Sequence, residues 1–143
     1  MREIDELSGL VIDMAISIHR ELGPGLLESV YELVLAVSLE KAGLKVDRQK
    51  PIDIEFAGLL IPAAFRIDLL VDERLVVEVK SVEQLGRVHG KQLLTYLRLT
   101  RQPVGLLLNF AGETMKEGIR RVVNDYRQPR DTSAPPRLRV NQI

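Results

Sequence analysis

The hydrophobic period of this chain changes from helical to strand-like near residue 46, and that change narrows the folds open to it. Leu7, Leu10, Val11, Met14, Ile18 and Leu22 recur at about 3.6 residues, the stripe of an amphipathic helix. Gly23-Pro24-Gly25 ends it. A second helix follows, with Leu27, Val30, Val34 and Val37 in one stripe and Glu28, Tyr31 and Leu35 beside it; Gly43 is its expected stop. From Val46 the period falls to about two, which predicts strands over 45–56, 59–71 and 74–80. Ala57-Gly58 joins the first two, and the polar Asp72-Glu73-Arg74 joins the last two. A helix over 82–100, a buried apolar strand over 103–110 and a weaker helix over 112–126 complete the order α-α-β-β-β-α-β-α. The expected fold is a mixed α/β (α+β) domain: a small mixed sheet, its last strand reached by a helical crossover, with helices packed on it.

A chain of 143 residues is long enough for one domain, expected over 1–126, with a flexible Arg- and Pro-containing tail over 127–143. With 45% hydrophobic and 28% charged residues it reads as soluble and globular, which excludes disorder and a membrane protein. The opening MREIDELSGL carries acids where a secretion signal carries bases, so a cytoplasmic location is expected. The absence of cysteine excludes disulfides, thiolate zinc sites and cysteine nucleophiles, and two histidines are too few for a histidine-rich metal site. Any metal would rest on carboxylates and carbonyls. Twenty basic residues balance twenty acids, so contact with nucleic acid would depend on local patches. The tail, with four arginines and one acid, is one such patch, although such an end is more often simply a solvated terminus.

Strand alternation sorts the charges of FRIDLLVD and RLVVEVK. Phe65, Ile67, Leu69 and Val71 share one face, with Arg66, Asp68 and Asp72 on the other; Glu78 and Lys80 face away from Leu75, Val77 and Val79. A three-residue loop pairs Val71 with Leu75, sets Leu69 against Val77 and Ile67 against Val79, and leaves Asp68 directly opposite Glu78; a two-residue loop would split the apolar faces. Opposed carboxylates repel. A divalent cation relieves that repulsion, and Mg²⁺ takes one or two carboxylates, several waters and phosphate oxygens. Lys80 beside it could orient a water or stabilise charge on a phosphate, so these are parts for phosphodiester hydrolysis. The plainer alternative is three solvated surface charges with a weak salt bridge.

The following helix carries Leu85, His89, Gln92, Tyr96 and Leu99 on one stripe, half of it polar, as the border of a site would be. Taken alone, His89 reads as a hydrogen-bonded boundary residue and Tyr96 equally well as core packing. Glu28, early in the second helix and three residues before Tyr31, has a sufficient explanation in the helix dipole.

Together, Gly25-Leu-Leu-Glu28-Ser-Val-Tyr31, Asp68, Glu78-Val79-Lys80, and Gln92 with Tyr96 in QLLTYLR resemble the GxxExxY protein family, a branch of the PD-(D/E)xK nuclease superfamily, from about residue 18 to 110. The resemblance implies a restriction-endonuclease-like core. It implies Asp68 and Glu78 as Mg²⁺ ligands (Mn²⁺ as substitute) aided by the Val79 carbonyl and by Glu28, with Lys80 positioning the hydrolytic water. Gln92 would touch the site or its phosphate, with Tyr96, Tyr31 and His89 in support. Asp68 follows Arg66-Ile67 instead of a proline-containing turn, a common departure. The implied function is a Mg²⁺-dependent nuclease acting on DNA or RNA without a membrane partner. The alternatives are a catalytically inactive module of the same fold that binds nucleic acid or protein, and a structural domain working as an oligomer such as a homodimer.

Overall fold

A computed structural model describes residues 2–124, so the sequence-predicted tail at 127–143 lies outside the described residues. Helix α1 (Ile4–Leu22) buries Leu7, Val11, Ala15 and Ile18 and stops at Gly23, whose φ of 72° needs no Cβ. Helix α2 (Glu28–Lys41) is apolar on two sides. Its inward stripe is Tyr31, Leu35, Ala36 and Leu39, while Val30, Leu33 and Val37 face solvent.

The sheet runs in the order β1 (Val46–Phe56), β2 (Leu59–Val71), β3 (Leu75–Lys80), β4 (Val104–Asn109), β5 (Ile119–Val123). β1 and β2 form a hairpin through Ala57 and Gly58, both at positive φ, as a tight two-residue hairpin turn requires. β2 meets β3 with Val71 opposite Leu75 and Leu69 opposite Val77, the register the sequence predicts. After β3, helix α3 (Arg87–Thr100) crosses over and β4 pairs with β3 in parallel. Leu69, Val71, Leu75, Val77, Val79, Leu106 and Leu108 pack under α1 and α2. Ile67, Leu70, Val76 and Leu107 pack against Leu93 and Leu97 of α3 on the other face.

Three expectations are corrected. α3 begins at Arg87, not near residue 82, because Asn109 holds Val82 in an extended segment, accepting from its N–H (3.0 Å) and donating to its carbonyl (2.9 Å). The weak helix expected over 112–126 is a single 3-10 turn (Lys116–Gly118) followed by β5, antiparallel to β4. The β-branched run Ile119, Val122 and Val123 suits a strand, and Gly118 permits the approach: a Cβ there would lie 2.0 Å from the Asn109 carbonyl oxygen. Residues 125 and 126 of that expected helix lie outside the described residues. Third, Phe65 and Ile67 do not share the face of Leu69 and Val71; they pack on the α3 side, so Ile67 does not share a face with Val79 either, and the regular pairing ends at Leu69 and Val77. The alternation of β2 breaks at Asp68, where Gln49 of the facing β1 strand takes a φ of 50°. Among the described residues, no helix is long and apolar enough to cross a membrane.

Candidate active site

The β2–β3 ladder ends at Leu69 and Val77, and one step further the side chains of Asp68 and Glu78 take over from it. The Asp68 N–H donates to Glu78 Oε2 at 2.9 Å, and the Val79 N–H donates to Asp68 Oδ2 at 2.9 Å. The two carboxylates therefore lie together, each spending one oxygen on the other strand's backbone. Glu78 is only 4% exposed. Burial, then the charge of Asp68, push its carboxyl up to about 8, against the pull of the Asp68 N–H and Lys80. Asp68 is also raised, chiefly by burial, with the Val79 N–H, Lys80 and Gln49 opposing and the Glu28 charge adding to the rise. Lys80 is half-buried at the end of β3, opposite Asn109 of β4, and acts electrostatically on both acids.

Glu28 reaches this end of the sheet because α2 starts there. Tyr31, fully buried and stacked on Phe110 (centroids 4.5 Å apart), fastens the turn before the helix: its hydroxyl donates to the Gly23 carbonyl (2.5 Å) and accepts from the Leu26 N–H (3.2 Å). Glu28 Oε2 then accepts from the Ser81 N–H just beyond β3 (3.0 Å). Leu26, Leu27, Glu28, Ser29 and Ser81 line an open cleft of about 420 Å³ beside it. Tyr96 stacks on Phe65 (4.1 Å), and its phenol is raised by burial and then by the charges of Glu78 and Asp68. Gln92 is exposed on α3. His89 serves the first turn of α3, its Nδ1 accepting from the Gly86 N–H at 2.9 Å. Val79 meets the site through its N–H on Asp68.

Two neighbours escaped the sequence reading. Glu32, 6% exposed, takes Gln49 Nε2 on one oxygen and Arg48 on the other. Its signal was present: an acid four residues after Glu28, within the apolar stripe of Tyr31, Leu35 and Leu39. Gln49 also reaches Asp68 Oδ1, and nothing in the polar run DRQK marks it. Among the described residues, no three side chains of metal-binding type gather into a ready cluster. The donors present are oxygens, two of them on closely paired carboxylates. That set suits a hard cation that keeps most of its waters.

No curated protein matches the chain. The crystal structure of SSO0001 is similar at 17% identity and a TM-score of 0.44, covering 79% of this chain. The chain spans 65% of that protein's length. A family model described as the PD-(D/E)XK nuclease superfamily matches residues 5–122, from α1 to β5. Nucleases of that superfamily generally use divalent metals. With a mixed five-stranded sheet and that match over most of its length, the chain belongs to the PD-(D/E)XK nuclease superfamily.

Proposed function

We propose that the chain is a Mg²⁺-dependent nuclease that hydrolyses phosphodiester bonds of DNA or RNA, as a member of the GxxExxY branch. The observation that carries this reading is the Asp68–Glu78 pair, two carboxylates packed together at the margin of a core with burial raising both. A purely structural pair has no reason to keep that repulsion, whereas a divalent cation relieves it. Asp68 and Glu78 would hold the ion, with the Val79 carbonyl. Glu28, whose charge already reaches Asp68, would meet the ion through its waters. The ion would supply a water of lowered pKa and countercharge for the phosphate. Lys80 stands near both acids, where its ammonium orients the attacking water and balances charge growing on the phosphoryl oxygens. Gln92, exposed on α3, is available to phosphate; Tyr96 borders the acids; Tyr31 and His89 act by holding their helices in place.

Purified protein is expected to cut a panel of DNA and RNA substrates with Mg²⁺ or Mn²⁺ and to stop in EDTA. Asp68→Ala and Lys80→Ala should each lower the rate by at least about 100-fold, a loss typical of removing a charge from a reacting centre. Full activity in Lys80→Ala, or no cutting of any substrate, would refute the proposal. One observation favours a second reading, an inactive binding module: no third metal-binding side chain gathers with the pair among the described residues. Calorimetry decides between them, since the inactive module takes up no Mn²⁺ at millimolar concentration.

A further inference from the structure

We propose that Gln49 is the positioning residue for Asp68, the middle of a relay that begins at the Arg48–Glu32 ion pair; the metal arm of its test rests on the nuclease reading above. Gln49 lies inside β1 between Arg48, paired with Leu69, and Lys50, paired with Ile67, so it faces Asp68 across the hairpin. Its φ of 50° lies in the left-handed region, which costs a non-glycine residue on the order of 1 kcal/mol and is rare inside a strand. The return on that strain is visible in its side chain. Gln49 Nε2 stands 2.8 Å from Glu32 Oε1 and 3.2 Å from Asp68 Oδ1, one amide nitrogen serving two carboxylates with its two hydrogens. Both partners are acceptors only, so the amide can face them in one sense, nitrogen inward.

Glu32 is itself fixed. Its Oε2 accepts from Arg48 Nε at 3.2 Å and Nη2 at 3.0 Å, and the carboxylate is almost wholly buried. The chain of contacts therefore runs from the Arg48 guanidinium on β1, through the Glu32 carboxylate on α2 and the Gln49 amide, to one oxygen of Asp68, while the Val79 N–H holds the other. Each Asp68 oxygen keeps a free lone pair, and both now point in directions set by neighbours. Groups that orient a metal-binding carboxylate in this way typically contribute 10- to 100-fold to metal affinity.

The test uses Gln49→Met, which keeps length and volume and removes both hydrogen bonds, with Glu32→Gln as the second variant, which removes the charge that anchors the amide. By calorimetry, Gln49→Met should bind Mn²⁺ about 10- to 100-fold more weakly than the parent. Cleavage should fall at low metal and recover at saturating metal, a split that loss of fold would not produce. In crystals grown in EDTA, the Asp68 carboxylate of Gln49→Met should turn away from the Val79 N–H. Parental Mn²⁺ affinity in Gln49→Met, or an unmoved Asp68, overturns the relay. If Gln49→Met does not fold, the same two measurements on Glu32→Gln decide it on the same terms. A parent protein that takes up no Mn²⁺ defeats the nuclease reading alone, and the position of Asp68 in the metal-free crystals then decides the relay.

Discussion

A carboxyl pushed up to about 8 has consequences that can be given a sign. Glu78 binds its proton more tightly folded than unfolded, where its ordinary value is 4.5. Metal-free protein should therefore lose stability as pH rises from about 4.5 to about 8, because over that window the folded state holds the proton that the unfolded chain has released. Glu78→Gln removes the charge and should raise the EDTA melting temperature at pH 8 while abolishing metal binding. If Glu78 holds the cation as proposed, the cation must displace the proton, and Mn²⁺ affinity of the parent should climb up to tenfold per pH unit from about 6 to 8 and level off above. Calorimetry at pH 7 in buffers of different ionisation enthalpy should register the release of about one proton. A pH-independent affinity would show that Glu78 gives up no proton to the cation, which removes either its raised carboxyl or its place as a ligand.

Single residues also decide how whole elements sit. Tyr31 holds the Gly23–Leu26 turn with its hydroxyl, and α2 starts two residues later with Glu28. Tyr31→Phe keeps the stack on Phe110 but strands two polar backbone groups, a loss of about 1–3 kcal/mol by urea denaturation. It should also lower nuclease activity by loosening Glu28. The β1–β2 turn carries the opposite opportunity. Ala57 sits at a φ of 51°, where a Cβ without a local hydrogen-bonding group is disfavoured. Ala57→Asn should stabilise the hairpin by roughly 0.5 kcal/mol, measurable as a higher urea midpoint. Gly118→Ala should do the reverse, because the added carbon meets the Asn109 carbonyl 2.0 Å away and β5 must shift; a loss of about 3 kcal/mol is expected.

At the scale of the molecule, the fold is expected to stand without a metal, because its core is made of apolar side chains. Over β3, β4 and the inner end of β2 both faces of the sheet are covered by side chains, from α1 and α2 on one and α3 on the other, while the far end of the β1–β2 hairpin leaves Phe56, Leu59 and Leu60 exposed. EDTA should leave far-UV circular dichroism unchanged, whereas Mg²⁺ at 100 times its dissociation constant should add about 2.7 kcal/mol and raise the melting temperature. Unfolding on chelation would mean that the acids are structural ligands instead of reactive ones.

Much of this was legible in the linear chain, since period is a local property. The change from 3.6 to two located α1, α2 and the first three strands, and loop length with face alternation set Val71 against Leu75 and so brought Asp68 to Glu78. Where period and context disagreed, tertiary contacts won. Ile119 to Val123 has enough helical spacing to mimic a helix, and only the neighbouring β4 edge made it a strand. Val82 lost its place in α3 to hydrogen bonds with Asn109, a partner 27 residues distant. Glu32 and Gln49 were invisible as a pair because one lies on a helix and the other in a strand, and the positive φ of Gln49 has no signature in its neighbours along the chain. The sequence by itself determined the first two helices, the first three strands and which two acids meet, because these follow from neighbours a few residues apart. The tertiary structure decided what surrounds those acids, how deeply they are buried and what aims them, because burial and charge depend on segments that meet only after folding.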